Sequence, residues 1–133
     1  MNNQSFKKTE RLKSRKTISR LFNKEGQSFA KFPLRLVFIE IEESDVPIQF
    51  TVSVSKRKFK RAVDRNRVKR QVREAYRLNK ALLFEKLEFS QEKYAWMIIF
   101  TGSKMPDYEQ IEKAMKKIIE KFIRNGVEIN SQE

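Results

Sequence analysis

The chain contains no cysteine and no histidine, only three glycines and three prolines, and no long apolar run. Each absence removes a chemistry. Without cysteine there is no disulfide framework, no thiolate nucleophile and no sulfur-ligated metal centre. Without histidine there is no imidazole base and no His-ligated zinc. Gly26, Gly102 and Gly126 lie far apart, so no glycine-rich loop cradles a phosphate. No apolar stretch approaches the roughly 18–20 residues that span a bilayer. Residues 1–5 (Met-Asn-Asn-Gln-Ser) offer no apolar secretory segment, and a cytoplasmic protein is expected.

Acid is scarce as well: 17 Asp and Glu stand against 30 Lys and Arg, a formal charge of +13 over 133 residues. That length suits one domain, expected over 1–133 with flexible ends at 1–8 and 127–133. Eleven Phe, three Tyr and one Trp are more aromatic residues than a disordered chain holds. The charge is unevenly placed. Residues 1–24 hold eight basic residues and one acid, residues 56–80 twelve and two, and the other 84 ten and fourteen. Two positive segments on a mildly acidic body predict a face that meets a polyanion.

Hydrophobic periodicity gives an element order α-β-β-α-β-α. Residues 9–24 read as a helix with Thr9 as N-cap, apolar positions at Leu12, Ile18, Leu21 and Phe22, and Gly26 as its stop. Residues 32–41 are β-branched and aromatic and read as a strand, closed by a turn over 42–47. Residues 48–55 alternate, with Phe50, Val52 and Val54 inward and Thr51, Ser53 and Ser55 outward. A long helix follows over 61–80, its apolar stripe Val68, Val72, Ala75 and Tyr76 and the rest of its circumference basic. Residues 94–101 form a continuous apolar run, a central strand. Asp107 with Gln110 opens the last helix, whose stripe is Tyr108, Ile111, Met115, Ile118 and Phe122, with Asn125-Gly126 as its cap. The fold class is a single small α+β domain with an antiparallel or mixed sheet covered by helices on one face, the Thr51/Ser53/Ser55 face left open.

The segment 61–77 carries the function. Guanidinium groups bind phosphate bidentately and lysine adds point charge. Arg65, Lys69 and Arg73 recur at successive helical turns, about 6 Å apart, close to the spacing of phosphates along a strand. Asn66 and Arg67 suit base edges and 2′-hydroxyls. A solvated basic face is the plainer alternative, but near-uniform positive charge repels itself unless a partner neutralises it.

The pattern Arg-Asn-Arg-x-Lys-Arg-x-x-Arg-Glu at 65–74, preceded by Ser53-Val54-Ser55-Lys56-Arg57, resembles the protein subunit of bacterial ribonuclease P. The likeness extends over about residues 6–124. It implies a ribosomal protein S5 domain 2-like fold with a left-handed βαβ crossover, against the usual right-handed rule. It also implies that Arg61, Arg65, Asn66, Arg67, Lys69, Arg70, Arg73 and Arg77 contact a catalytic RNA subunit. A separate cleft between the first helix and the open sheet face would hold the single-stranded 5′ leader of precursor tRNA. Its residues would be Arg11, Lys13, Arg15, Ile18, Phe22, Ser53, Ser55, Lys56 and Arg57. An aromatic within a basic groove is the sequence-tolerant design for single strands. Phe22 equally suits a core anchor, and Ser53 and Ser55 an ordinary strand face. Ile18 stands where many members of that family carry a phenylalanine.

The implied reaction is hydrolysis of one phosphodiester, releasing the mature tRNA 5′ end. This chain has no catalytic residue of its own for it, since Glu42, Glu43 and Asp45 lie in a turn. No metal site and no bound cofactor are expected in the protein, and Mg²⁺ belongs to the ribonucleoprotein. The expected partners are the catalytic RNA and precursor tRNA, with neither DNA nor membrane. The alternative is a non-enzymatic RNA-binding protein, ribosomal or chaperone-like, with the same basic composition. A DNA-reading helix lacks the short helix that would precede it. A membrane-surface helix would need the apolar stripe that the core uses.

Overall fold

The computed structural model describes residues 6–23, 26–88 and 90–126. Four strands, β1 (Gln27–Lys31), β2 (Leu34–Ile41), β3 (Ile48–Val54) and β4 (Lys93–Phe100), form one sheet in the order β1-β2-β4-β3. The β1/β2 and β2/β4 pairs are antiparallel, whereas β3 runs parallel to β4. Parallel neighbours need a crossover. Here it is the 27-residue helix α2 (Ala62–Glu88). Helices α1 (Arg15–Phe22) and α3 (Tyr108–Lys121) complete the domain, and residues Phe122–Gly126 add a π-helical turn.

The main core lies between α2, α3 and one sheet face. Alternate residues of β3 (Ile48, Phe50, Val52, Val54) and of β4 (Tyr94, Trp96, Ile98, Phe100) point into it. They meet Val68, Val72, Ala75, Tyr76, Leu83 and Leu87 of α2 and Ile111, Met115 and Ile118 of α3. Phe50 stacks on Tyr76 at 3.9 Å between centroids, and Phe122 packs edge-on against Trp96 at 4.9 Å. The α2 stripe continues past residue 80 to Leu83 and Leu87 with no Gly or Pro to end it, so the helix runs two turns beyond the expected 61–80. The last helix starts as expected, capped by Asp107, whose carboxylate accepts from the Gln110 amide, but it ends at Lys121 and passes into the π-helical turn, so Asn125-Gly126 is not its cap.

The expected fold class stands, with one strand more than the six-element order. β1 escapes the sequence pattern because it is a mostly exposed edge strand, and only Phe29 packs inward, 5.4 Å from the Phe38 ring. Phe32 and Pro33 therefore form a turn rather than the start of a strand. The first helix is also shorter than 9–24. Lys8–Glu10 forms a 3-10 turn, residues 11–14 are not helical, and α1 starts after Ser14, whose hydroxyl accepts from the Thr17 amide. Extended pairing wins over helix there because the Leu12 amide donates to the Phe50 carbonyl on the free edge of β3. Gly26 is not the stop of α1, which ends at Phe22. A Cβ on Gly26 would sit 2.0 Å from the Phe38 carbonyl oxygen.

A second, smaller cluster (Leu12, Leu21, Val37, Ile39, Ala95, Met97) lies on the opposite sheet face under α1. That face is therefore partly roofed rather than bare. Within the N-terminal segment, the Phe6 ring packs edge-on against Phe50 and Tyr76. Residues 1–5 and 127–133 lie outside the described residues.

Candidate nucleic-acid interface

The N-terminal segment positions the first set of cations by wrapping round the β3 edge. Phe6 packs on the α2 side, Arg11 bridges to Phe50 at the edge, and Leu12 is buried on the other side. One buried ion pair fastens the wrap: Lys80 Nζ of α2 donates to Glu10 Oε1, while Glu10 Oε2 accepts from the Lys7 amide. The Lys80 ammonium also lies 5.9 Å from the Phe6 ring and 5.2 Å from Phe84. Lys80 therefore leaves the basic face that composition assigned it to. Its place in the stripe, four residues after Tyr76, was the available signal. Lys13 and Arg15 follow, exposed, where the chain turns into α1.

The second set lies on α2. Asn66, Arg67 and Arg70 are exposed, while the row Arg65, Lys69, Arg73 and Arg77 flanks the buried stripe and is half-buried. Two of that row, and Arg61 before it, have local partners. Arg65 Nη1 donates to the carbonyls of Phe59 and Lys60 at 2.8 and 2.9 Å, bracing the loop before the helix. Arg77 makes a bidentate pair with Glu74 at 2.8 and 2.9 Å, which also pulls the Glu74 carboxyl below its ordinary range. Arg61 lies 3.9 Å from Asp64 at the surface. Arg73 faces like charge: partial burial first, and then the positive charge of Arg11, lower its proton affinity. It remains a cation.

That last pairing joins two regions the sequence kept apart. Arg11, at the β3 edge, comes from the leader-cleft set and Arg73 from the RNA-subunit set, and the Arg11 charge is the smaller of the two causes that act on Arg73. Around the edge, Thr51 and Ser53 form a half-buried polar floor beside Met97 and Ile99, with α1 as the wall. At the end of α1, Phe22 is 55% exposed while its neighbour Leu21 is 1% exposed, so Leu21 and not Phe22 is the core anchor. Ile18 packs against the Leu12–Leu21 cluster and belongs to the wall's interior. Ser55 has a shaping role: its hydroxyl accepts from the Arg57 amide at 3.1 Å, forming the turn that presents Lys56 and Arg57 to solvent. Lys58, absent from the expected set, donates to the Thr101 carbonyl at 2.7 Å and ties this turn to the end of β4.

Among the described residues, no group of three or more His, Cys, Asp or Glu side chains is arranged to hold a metal ion. Among those residues, too, no helix is long and apolar enough to cross a membrane. Cations on a crossover helix and round a sheet edge, with a polar floor and an exposed aromatic between them, define an α+β nucleic-acid-binding protein.

The family model described as Ribonuclease P matches residues 6–123, and the chain belongs to that family of ribonuclease P protein components. The ribonuclease P protein component of Porphyromonas gingivalis is 41% identical over 119 residues, spanning 89% of this chain and 86% of its own length. That of Clostridioides difficile is 34% identical, over 87% of this chain and 94% of its own. The solved ribonuclease P protein of Staphylococcus aureus shares the fold with a TM-score of 0.66 at 22% identity, over 84% of this chain and 93% of its own. That of Thermotoga maritima does so at 0.65 and 20%, over 84% and 96%. The chain is thus a component of a ribonuclease assembly that processes tRNA and works with an RNA partner.

Proposed function

We propose that this chain binds the catalytic RNA of ribonuclease P and the 5′ leader of precursor tRNA, and so promotes endonucleolytic removal of the leader in the cytoplasm. The observation that carries the reading is the wrap of the N-terminal segment round the β3 edge, where the buried Glu10–Lys80 pair fastens the Arg11 segment to the basic helix α2. One continuous positive surface lets two RNAs approach each other, because it screens the repulsion between their phosphates. The start of α2 holds the RNA subunit: Asn66, Arg67, Lys69 and Arg70 reach outward, Arg61, Arg73 and Arg77 add field, and Arg65 holds the loop that carries Lys56 and Arg57. The leader runs from Arg11, Lys13 and Arg15 over Thr51 and Ser53, with Phe22 as stacking platform and Lys56 and Arg57 at the far end.

The reaction centre belongs to the partner RNA. Mg²⁺ held by that RNA would supply Lewis-acid chemistry at the scissile phosphate. This chain's residues bind, orient and neutralise, which lowers the Mg²⁺ concentration the assembly needs. The test combines purified protein, a bacterial ribonuclease P RNA and 5′-labelled precursor tRNA at low Mg²⁺. Cleavage at the mature 5′ end only when both subunits are present is the expected result. Tight RNA binding without cleavage, across a range of Mg²⁺, would favour a plain RNA-binding module instead.

A further inference from the structure

The sheet end beside the start of α2 carries an aromatic that neither proposed site uses. Phe32, on the β1–β2 turn, is 66% exposed, more than Phe22. Single exposed apolar residues are common and by themselves need no explanation. Phe32 differs in what surrounds it. The Thr101 amide donates to the Pro33 carbonyl at 2.8 Å, and Lys58 Nζ donates to the Thr101 carbonyl, so the turn, the end of β4 and the 56–60 loop form one connected surface. Lys31 precedes Phe32 in the chain and Lys104 follows the end of β4, both exposed. The sheet order places this turn about two and a half strand spacings, roughly 12 Å, from the end of β3. From there the chain leads through Lys56, Arg57 and Lys60 to Arg61 and the start of α2.

We propose that Phe32 is a base-stacking platform for one unpaired nucleotide of the RNA subunit, with Lys31, Lys58 and Lys104 on its flanking phosphates. An exposed ring among cations fits single-stranded RNA, because every base has a face to stack and every nucleotide a phosphate to neutralise. Lys58 keeps two ammonium protons beyond the one given to Thr101. The RNA subunit is the chosen occupant because the surface is continuous with the α2 cations assigned to it. The inference therefore rests on the function proposed above.

The test is equilibrium binding of the full chain to a bacterial ribonuclease P RNA without precursor tRNA. Phe32→Ala should weaken binding about 5- to 150-fold, the range of one lost base–aromatic stack. Phe32→Trp should keep the affinity, and its exposed indole should be quenched on RNA addition while Trp96, 0% exposed, reports nothing of the surface. Lys31→Ala with Lys104→Ala should lower the slope of log affinity against log salt by about 0.7 per phosphate. Arg65→Ala with Arg67→Ala is the control for the underlying reading. If RNA binding survives that pair, the proposed function itself fails. If binding falls there but Phe32→Ala is silent and the introduced indole stays unquenched, only the platform is overturned. Quenching that appears solely with precursor tRNA would give the platform to the substrate, and it too would overturn the assignment.

Discussion

The buried pair between Glu10 and Lys80 makes a quantitative prediction, because both side chains are almost wholly removed from water and each is the other's counter-ion. Lys80→Met keeps the aliphatic stem between Phe6 and Phe84 but deletes the charge. Glu10 is then left buried without its cation, a loss of about 3–5 kcal/mol. A domain of this size has about 5–15 kcal/mol in all. The melting temperature should fall by roughly 10–20 °C, interpolating between small and medium domains. Glu10→Gln with Lys80→Met removes both charges and keeps an acceptor for the Lys7 amide, so the double variant should recover most of the loss. Urea unfolding followed by fluorescence of Trp96, the single tryptophan, gives the four free energies of the cycle at fixed ionic strength. A Lys80→Met variant within about 1 kcal/mol of the wild type, or a cycle with no coupling, would refute the reasoning. Function should follow stability in one direction only. Leader binding should weaken, since Arg11 sits next to the released Glu10, while RNA-subunit binding at the start of α2 persists in the folded fraction.

Other expectations separate the two halves of the surface. Arg65→Ala with Arg67→Ala should weaken RNA-subunit assembly far more than leader recognition, and Phe22→Ala should do the reverse by about 1–3 kcal/mol of lost stacking, read from apparent dissociation constants in both assays. Salt should act with opposite signs: between 50 and 200 mM, RNA affinity should fall about 10³–10⁵-fold if six to ten phosphates are neutralised, while the free protein's melting temperature rises as self-repulsion is screened. A flat affinity would remove electrostatics as the mechanism. Glu74→Gln should tighten RNA binding and steepen the salt slope by about one unit, because Arg77 loses its bidentate carboxylate partner. The Glu74 carboxyl titrates below its ordinary range in the fold, so the pair's stabilisation is present above that ordinary range and is lost as pH falls through the lowered value. At an exposed site this effect on stability is small, and acid titration of the melting temperature should scarcely register it.

Much of this was legible because it is periodic. The α2 stripe Val68, Val72, Ala75 and Tyr76 is wholly buried, Asp107 caps α3, and β3 alternates with its even-numbered residues inward. What was not legible depends on contacts between distant segments. Nothing local to Gln27–Lys31 reports that its backbone will pair with β2, since an edge strand needs few apolar residues. Thr9 is as good an N-cap as Ser14 by residue type. The choice falls to Ser14 because Leu12 finds a backbone partner in Phe50, 38 residues away. Arg65 and Arg77 look like free phosphate ligands in a list of basic residues, and only the fold gives them the Phe59 and Lys60 carbonyls and the Glu74 carboxylate. Phe22 illustrates the converse. Its sequence suited a core anchor as well as a platform, and its exposure beside the buried Leu21 removes the core-anchor reading.

The same edge contact brings two charge clusters that are far apart in sequence to one edge of the sheet. A parallel β3–α2–β4 crossover places the basic helix on one side of the sheet, and a helix alone would bind RNA on that side only. The N-terminal segment carries positive charge past the β3 edge to the other face. It stays there because Phe6 packs partly buried against the core while Glu10 and Leu12 are buried on successive sides of the turn. The positive charge of Arg11 then adds, after partial burial, to what lowers the proton affinity of Arg73 on the helix. A phosphate bound near this edge would offset like charge that solvent alone must otherwise screen.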